Sequence, residues 1–552
     1  MCFDENIYFC KNIESKKTKE MQKLFVSICL LVSMNTSLCA QTVDGALQNL
    51  NRAIMMADSV FSRVYNTSTK EMSMWYDLDK KSKSGLVSVW EYTTGLEACC
   101  SVLEGLETLK DVAPDVYSAN HDRFVSRLDN VYEGLDAYAG TYALTSYTGT
   151  NTWTVYSVRR GANPSEEENR MAVYDDQMWI IREMLRAYKL TGEQKFLTKA
   201  ESLTSYVLDG WDCVRDRNGE EYGGITWGPG YTSKHACSNS PIVAPLVWLY
   251  EIYSREENLN SKARYYAFDT DGKRVRNVVP KNEYYLDFAK KVYKWQMDHL
   301  YDSSLGVFYD GAWPSSGGIT YTEVDGVKCR NHLDVGKPQG TFWTYNTGTM
   351  VSGAAELYRV TGDEAYKTDL TKLVDRAYRY FYGAKRIDGV TYREMPYKDN
   401  NGKGGSPWFN DVMLRGFIDA APYEATAKTA ANYTQQALDY AFENHRRLGM
   451  LPIRLLDGWG FEFTDGGTQY TDLTRLNVMY PLSRVSEFGM LVKYASESTG
   501  IEKPAVQKKK AEKVNVYSVD GRLLKTGSQR ETALQGLSAG LYIIDGQKIA
   551  VK

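Results

Sequence analysis

The 552-residue chain carries little net charge, little cysteine and little histidine. A formal net charge of -3 lacks the bias that a nucleic-acid or anionic-membrane partner needs, so neither is expected. The five histidines are scattered, and there is no Cys-x-x-Cys pair or His-Glu-x-x-His motif. A zinc site is therefore not expected. Cysteine forms no disulfide framework. A cut after Ala40 would leave Cys99, Cys100, Cys213, Cys237 and Cys329, an odd set that reads as mostly buried thiols, with a Cys213–Cys237 disulfide left open. Long apolar runs are also missing. Leu24 to Met34 is too short for a ~20-residue bilayer span. It follows Lys19 and Lys23 and precedes Ser37-Leu38-Cys39-Ala40-Gln41, the pattern of a signal peptide. Residues 1–40 are read as an upstream extension, with Met21 as the natural initiator, plus that signal peptide. An exported mature chain without a membrane-spanning segment is expected. Leu38 stands where a lipidated cysteine would want a small neighbour, which ranks a lipoprotein reading lower.

Aromatics are plentiful: 41 Tyr, 17 Phe and 12 Trp. Tyr and Trp combine an apolar face with a polar tip and stack well on sugar rings, although for any single ring core packing is the better reading. From about Thr42 to Ser498 the pattern is helical. Tyr174, Met178, Ile181, Leu185 and Tyr188 share one helix face, Thr191-Gly192 ends it, and Phe196, Ala200, Leu203 and Val207 begin another. Leu357-Tyr358-Arg359-Val360-Thr361-Gly362 repeats Ala187-Tyr188-Lys189-Leu190-Thr191-Gly192, again with a helix behind it. Repeated helical hairpins predict an all-α toroid over 41–500, with long Gly- and aromatic-rich loops forming a cleft on one rim. Residues 501–513 read as a basic linker. Residues 514–552 alternate and turn like β-hairpins, predicting a small β module.

Within the helical region, Tyr174-Asp175-Asp176-Gln177-Met178-Trp179 places two carboxylates between aromatics at a helix start. Cleaving a glycosidic bond requires one carboxylic acid and one carboxylate. Consecutive helical residues point ~100° apart, so the pair could converge on one bond only from a helix end. A free helix N-terminus would keep one carboxylate ionised, and a neighbour walled in by Tyr174 or Trp179 would hold its proton. The bland alternative is an N-cap Asp followed by a first-turn Asp. Trp227 could stack on a sugar or cover the core. Asn239 and Asn346 could bind hydroxyls or bond their own turns. Tyr345, Trp90 and Trp408-Phe409 are similarly ambiguous, with core packing favoured for Trp90. Asp209 and Asp212 read as helix-end residues, and Asp269-Thr270-Asp271-Gly272 as a turn.

The acidic segment, together with Val207-Leu208-Asp209-Gly210-Trp211-Asp212, Gly223-Gly224-Ile225-Thr226-Trp227, Ser238-Asn239-Ser240 and Tyr345-Asn346-Thr347-Gly348-Thr349-Met350, resembles glycoside hydrolase family 76. The resemblance implies an (α/α)6 barrel and retaining, endo-acting cleavage of α-1,6-mannosidic bonds in mannan backbones. It assigns Asp175 as nucleophile and Asp176 as acid/base, with no metal or organic cofactor. It makes α-mannan the partner, with Tyr174, Trp227, Asn239, Tyr345 and Asn346 as substrate-binding candidates. Lys234-His235-Ala236-Cys237-Ser238-Asn239 matches the family's Lys/Asn-rich subsite loop only loosely, and inserts at Tyr265 to Pro280 and Gly317 to Pro338 enlarge the loops. The alternatives are a non-catalytic carbohydrate-binding protein on the same scaffold, or another (α/α)6-barrel hydrolase such as an unsaturated uronyl hydrolase. The last forty residues resemble the C-terminal sorting tails of the type IX secretion system. This implies contact with secretion machinery and a secreted, cell-surface or periplasmic location in a Gram-negative bacterium.

Overall fold

Apolar spacing in this chain becomes helix wherever it runs at three to four residues. In the computed structural model, the described residues are 44–161, 171–397, 405–498, 513–518, 523–529, 533–544 and 547–551. The expected signal segment and nearly all of the expected linker lie outside them. Among the described residues are twelve α-helices: α1 (44–64), α2 (Val89–Leu109), α3 (Pro114–Gly134), α4 (Tyr174–Thr191), α5 (Gln194–Asp209) and α6 (Val243–Tyr253). They continue as α7 (Lys281–Leu300), α8 (Thr344–Thr361), α9 (Glu364–Phe381), α10 (Pro407–Ala420), α11 (Ala425–Asn444) and α12 (Met479–Ser498). The repeated Thr-Gly signal ends α4 and α8 as expected. Gly192 and Gly362 adopt φ of 73° and 65°, and their N–H groups close the last turns onto the carbonyls of Tyr188 and Tyr358.

Even- and odd-numbered helices differ in what they bury. Odd ones show a single stripe, such as Leu370, Leu373, Val374, Ala377 and Phe381 on α9, whereas α2, α4, α8 and α10 are buried on most sides. Helix α2 packs on α4, α4 on α6, α6 on α8 and α8 on α10. Helix α12 returns to α2, where the Ser486 and Ser101 hydroxyls lie 3.0 Å apart. Small residues allow these close crossings. A Cβ on Gly348 would stand 2.7 Å from the Met413 Cα, and one on Gly416 2.5 Å from the Gly348 carbonyl oxygen. Charges buried between the inner helices are paired: Arg186 holds Glu104 and Glu183 at 2.7 Å each, and Arg415 pairs with Glu97.

The loops carry more strand than an all-α reading allows. One hairpin joins Ala139–Thr145 to Thr150–Tyr156, a second joins Lys262–Phe268 to Arg274–Pro280, and a third joins Tyr321–Val324 to Val327–Arg330. Period-two burial drives the first, with Tyr142 and Leu144 inside and Thr141 and Ala143 outside. The insert at Tyr265 to Pro280 lies mostly in the second hairpin, with Asp269-Thr270-Asp271-Gly272 at its turn, as expected.

A second unit holds the C-terminal strands. Lys513–Ser518, Leu523–Gln529, Gly540–Ile544 and Gln547–Val551 form one antiparallel sheet with Lys513–Ser518 and Gly540–Ile544 at its centre, around buried Val516, Ala533 and Ile544.

Two expectations are corrected. Cys213 and Cys237 are free thiols, so the disulfide left open does not form. Asp212 is more than a helix-end residue: fully buried, it pairs with Lys234 Nζ at 2.8 Å and His332 Nδ1 at 2.7 Å.

Candidate active site

The acidic pair sits within the first turn of α4. Val173 is the N-cap and makes no side-chain cap, so Asp175 and Asp176 occupy the second and third helical positions. This differs from the N-cap Asp considered above, because the loop itself starts the helix. The Tyr174 N–H donates to the Trp227 carbonyl at 2.9 Å, anchoring the turn after Gly223-Gly224 to the helix start.

The two carboxyls have different surroundings. Asp175 is partly exposed. It accepts the Trp227 indole N–H at 3.1 Å and the backbone N–H of Asp176 at 2.9 Å. Burial raises its pKa; the Trp227 indole, the Cys237 thiol and that backbone N–H pull the other way. Asp176 is only 6 % exposed, and no hydrogen bond to its carboxyl occurs among the described residues. Burial pushes its pKa well up, and the negative charges of Asp175 and Glu91 push it further. Of the two, Asp176 is the one driven more strongly toward its protonated form, and Asp175 the one better supported as a carboxylate.

Aromatics wall the pair. Trp179, one turn along α4 from Asp175, packs edge-on against Trp408 at 4.8 Å and Tyr345 at 6.5 Å. Trp90 meets Trp408 at 5.4 Å and stacks with Phe409 at 6.1 Å. The Trp408 indole N–H donates to Glu97 at 2.9 Å, so a buried carboxylate fixes this wall. On the other side Trp227 tilts against Tyr231 and His235. A small sheet pairs His235 with Gly311, and Gly311 with Gln339. It carries in Asp310, whose carboxyl lies 3.5 Å from the Tyr345 hydroxyl and 3.7 Å from His235 Nδ1.

The structure brings Asp175, Asp176, Trp227 and Tyr345 together. Other sequence candidates have scaffold positions. Tyr174 turns its ring to Tyr206, 4.8 Å away in the core. Asn239 is fully buried, its amide tied to Ile225 and to the His235 carbonyl, which holds the Trp227 turn in shape. Asn346 is fully buried at the α8 start, and neither of its amide atoms has a hydrogen-bond partner among the described residues. Lys234 is a buried strut on Asp212 and Gly223 rather than an open subsite residue. Trp90 joins the wall instead of vanishing into the main core. Sequence reasoning missed Glu91 and Asp310. Ser88-x-x-Glu91 is a legible capping box that locates Glu91 at a helix start, and it forms as such. Asp310 had no local signal, since the insert strands position it. Among the described residues no group of three His, Cys, Asp or Glu side chains could hold a metal ion, and no helix is long and apolar enough to cross a membrane.

Comparison with known proteins adds four findings. The model of the family described as "Glycosyl hydrolase family 76" matches residues 138–267 and 274–447. A putative mannan endo-1,6-α-mannosidase of Schizosaccharomyces pombe is 22 % identical over 356 residues, covering 62 % of this chain and 70 % of that protein. Among solved structures, a family 76 mannosidase of Bacteroides thetaiotaomicron matches at TM-score 0.57 and 20 % identity, over 82 % of this chain and 99 % of its own. An inactive variant of an α-1,6-mannanase of Salegentibacter sp. HEL1_6, in complex with α-1,6-mannotetraose, matches at TM-score 0.51 and 18 % identity, over 81 % and 99 %.

Proposed function

The chain belongs to glycosyl hydrolase family 76, and from that premise we propose that it is an endo-acting hydrolase of α-1,6-mannosidic bonds in mannan backbones, working with retention. The observation that carries this reading is the unequal pair. Asp175, supported by the Trp227 indole and a helix N–H, is the nucleophile that attacks the anomeric carbon. Asp176, buried and held protonated, donates its proton to the departing glycosidic oxygen and then takes one from the water that releases the sugar. Retention needs the two carboxyl groups ~5 Å apart. Neighbouring first-turn positions, with Trp227 drawing Asp175 to one side, are compatible with that spacing. Trp227 and Tyr345 are the proposed sugar-contacting rings.

The even and odd helices are read as the inner and outer rings of an (α/α)6 barrel. The C-terminal sheet is read as a sorting module engaging secretion machinery, and the mature chain as an exported protein. Release of reducing manno-oligosaccharides from debranched α-mannan tests the activity. The native chain releases them, and Asp175→Ala and Asp176→Ala, both folded, do not. Persistent release from either variant overturns the assignment of the pair.

A further inference from the structure

Outside the acidic pair, the outer helices α5 and α7 form the floor of a groove of about 1050 Å3, with the first and second hairpins as its walls. It shares no residue with the aromatic wall around Asp175 and Asp176. Its size is at the upper end of the ~300–1,000 Å3 typical of ligand sites.

The lining has a definite chemistry. Each hairpin contributes a partly exposed aromatic, Trp153 from the first and Tyr265 from the second. Charges along the floor are already paired across helices: Glu201 takes Lys281 and the Tyr285 hydroxyl, while Glu221 takes Lys291 at 3.5 Å and the Trp211 indole N–H at 2.8 Å. Asp209 is surrounded by neutral donors, with Thr148 and Asn151 each 3.4 Å away. The floor carboxylates are thus satisfied within the protein and leave little for a cationic ligand, while the exposed Lys262 and Arg264 of the second hairpin also line the groove. Aromatic faces beside amides and hydroxyls suit a neutral, polyhydroxylated ligand. The walls are also braced: Arg274 of the second hairpin covers the Tyr266 ring at 3.3 Å and donates to the Thr148 carbonyl at the tip of the first. The family match covers the strands of both hairpins and omits only 268–273, at the turn of the second.

We propose that this flank groove is a second carbohydrate-binding site, which holds a neutral glycan segment while the acidic pair cuts elsewhere on the chain. Its choice of mannan rests on the proposed activity; its preference for a neutral glycan rests on the groove alone. Such a site acts on polymers and is idle with short substrates.

The test compares linear α-1,6-mannan with α-1,6-mannotetraose as substrates of the full chain. In Trp153→Ala and Tyr265→Ala, kcat/KM on the polymer is expected to fall by about fivefold or more, which is ~1 kcal/mol, while turnover of the tetraose is unchanged. Trp153→Phe should restore the polymer rate. Equal losses on both substrates, or none on either, overturn the proposal. Native-gel retardation by the same mannan separates this inference from the activity. If the wild type cleaves neither substrate, the activity reading fails. The groove then stands if mannan retards the wild type but not Trp153→Ala, and falls if both are retarded alike or neither is.

Discussion

Asp175 and Asp176 are adjacent in sequence and differ in their surroundings. The sequence exposed their identity and their place at a helix start, because the apolar spacing begins there. It did not reveal which would hold a proton, since that depends on Trp227, Cys237 and Glu91, all distant along the chain. The assignment has a thermodynamic consequence. Asp176 has a folded-state pKa above its unfolded value, so the folded protein binds that proton more tightly. Stability is then lost as pH rises from the unfolded to the folded value. Asp176→Asn is expected to raise the thermal midpoint at about pH 8, yet leave it unchanged at about pH 3, below the ordinary Asp value of ~3.9. Activity should fall by ~10²–10⁴-fold. A thermal melt at both pH values checks this, and a lowered midpoint at the higher pH contradicts it. Tyr174 and Asn239 show where residue-level reading ends. A polar or aromatic side chain beside a motif can serve the scaffold, and only burial and partners distinguish the two roles.

At the scale of elements, the helices were the legible part, because a 3.6-residue stripe and a Thr-Gly stop are local signals. The inter-helix hairpins were read as loops, since their alternation spans only seven residues and is diluted by exposed Thr and Tyr. Gly348 was read only as part of a motif that resembles family 76; in the structure it packs α8 against α10. Because the Cβ of Gly348→Ala would meet the backbone of α10, which cannot move aside as a side chain could, the substitution is expected to cost about 2 kcal/mol or more. Chemical denaturation should show a lower midpoint, with any remaining activity keeping its native pH profile. An unchanged midpoint would mean that α8 and α10 do not cross so closely.

For the whole molecule, sequence-adjacent helix pairs pack together among the described residues, and the chain matches family 76 over 138–267 and 274–447. The second unit has four strands where the sequence suggested hairpins, and its sheet order was not readable because the central strands are distant in sequence. The central claim is that two adjacent first-turn carboxylates perform a double displacement on α-1,6-mannan. Proton NMR of the first sugar released by the full chain from linear α-1,6-mannan tests it most directly. The account predicts that the α-anomer appears first and the β-anomer only later by mutarotation. A β-anomer appearing first would mean direct attack by water and would contradict Asp175 as nucleophile.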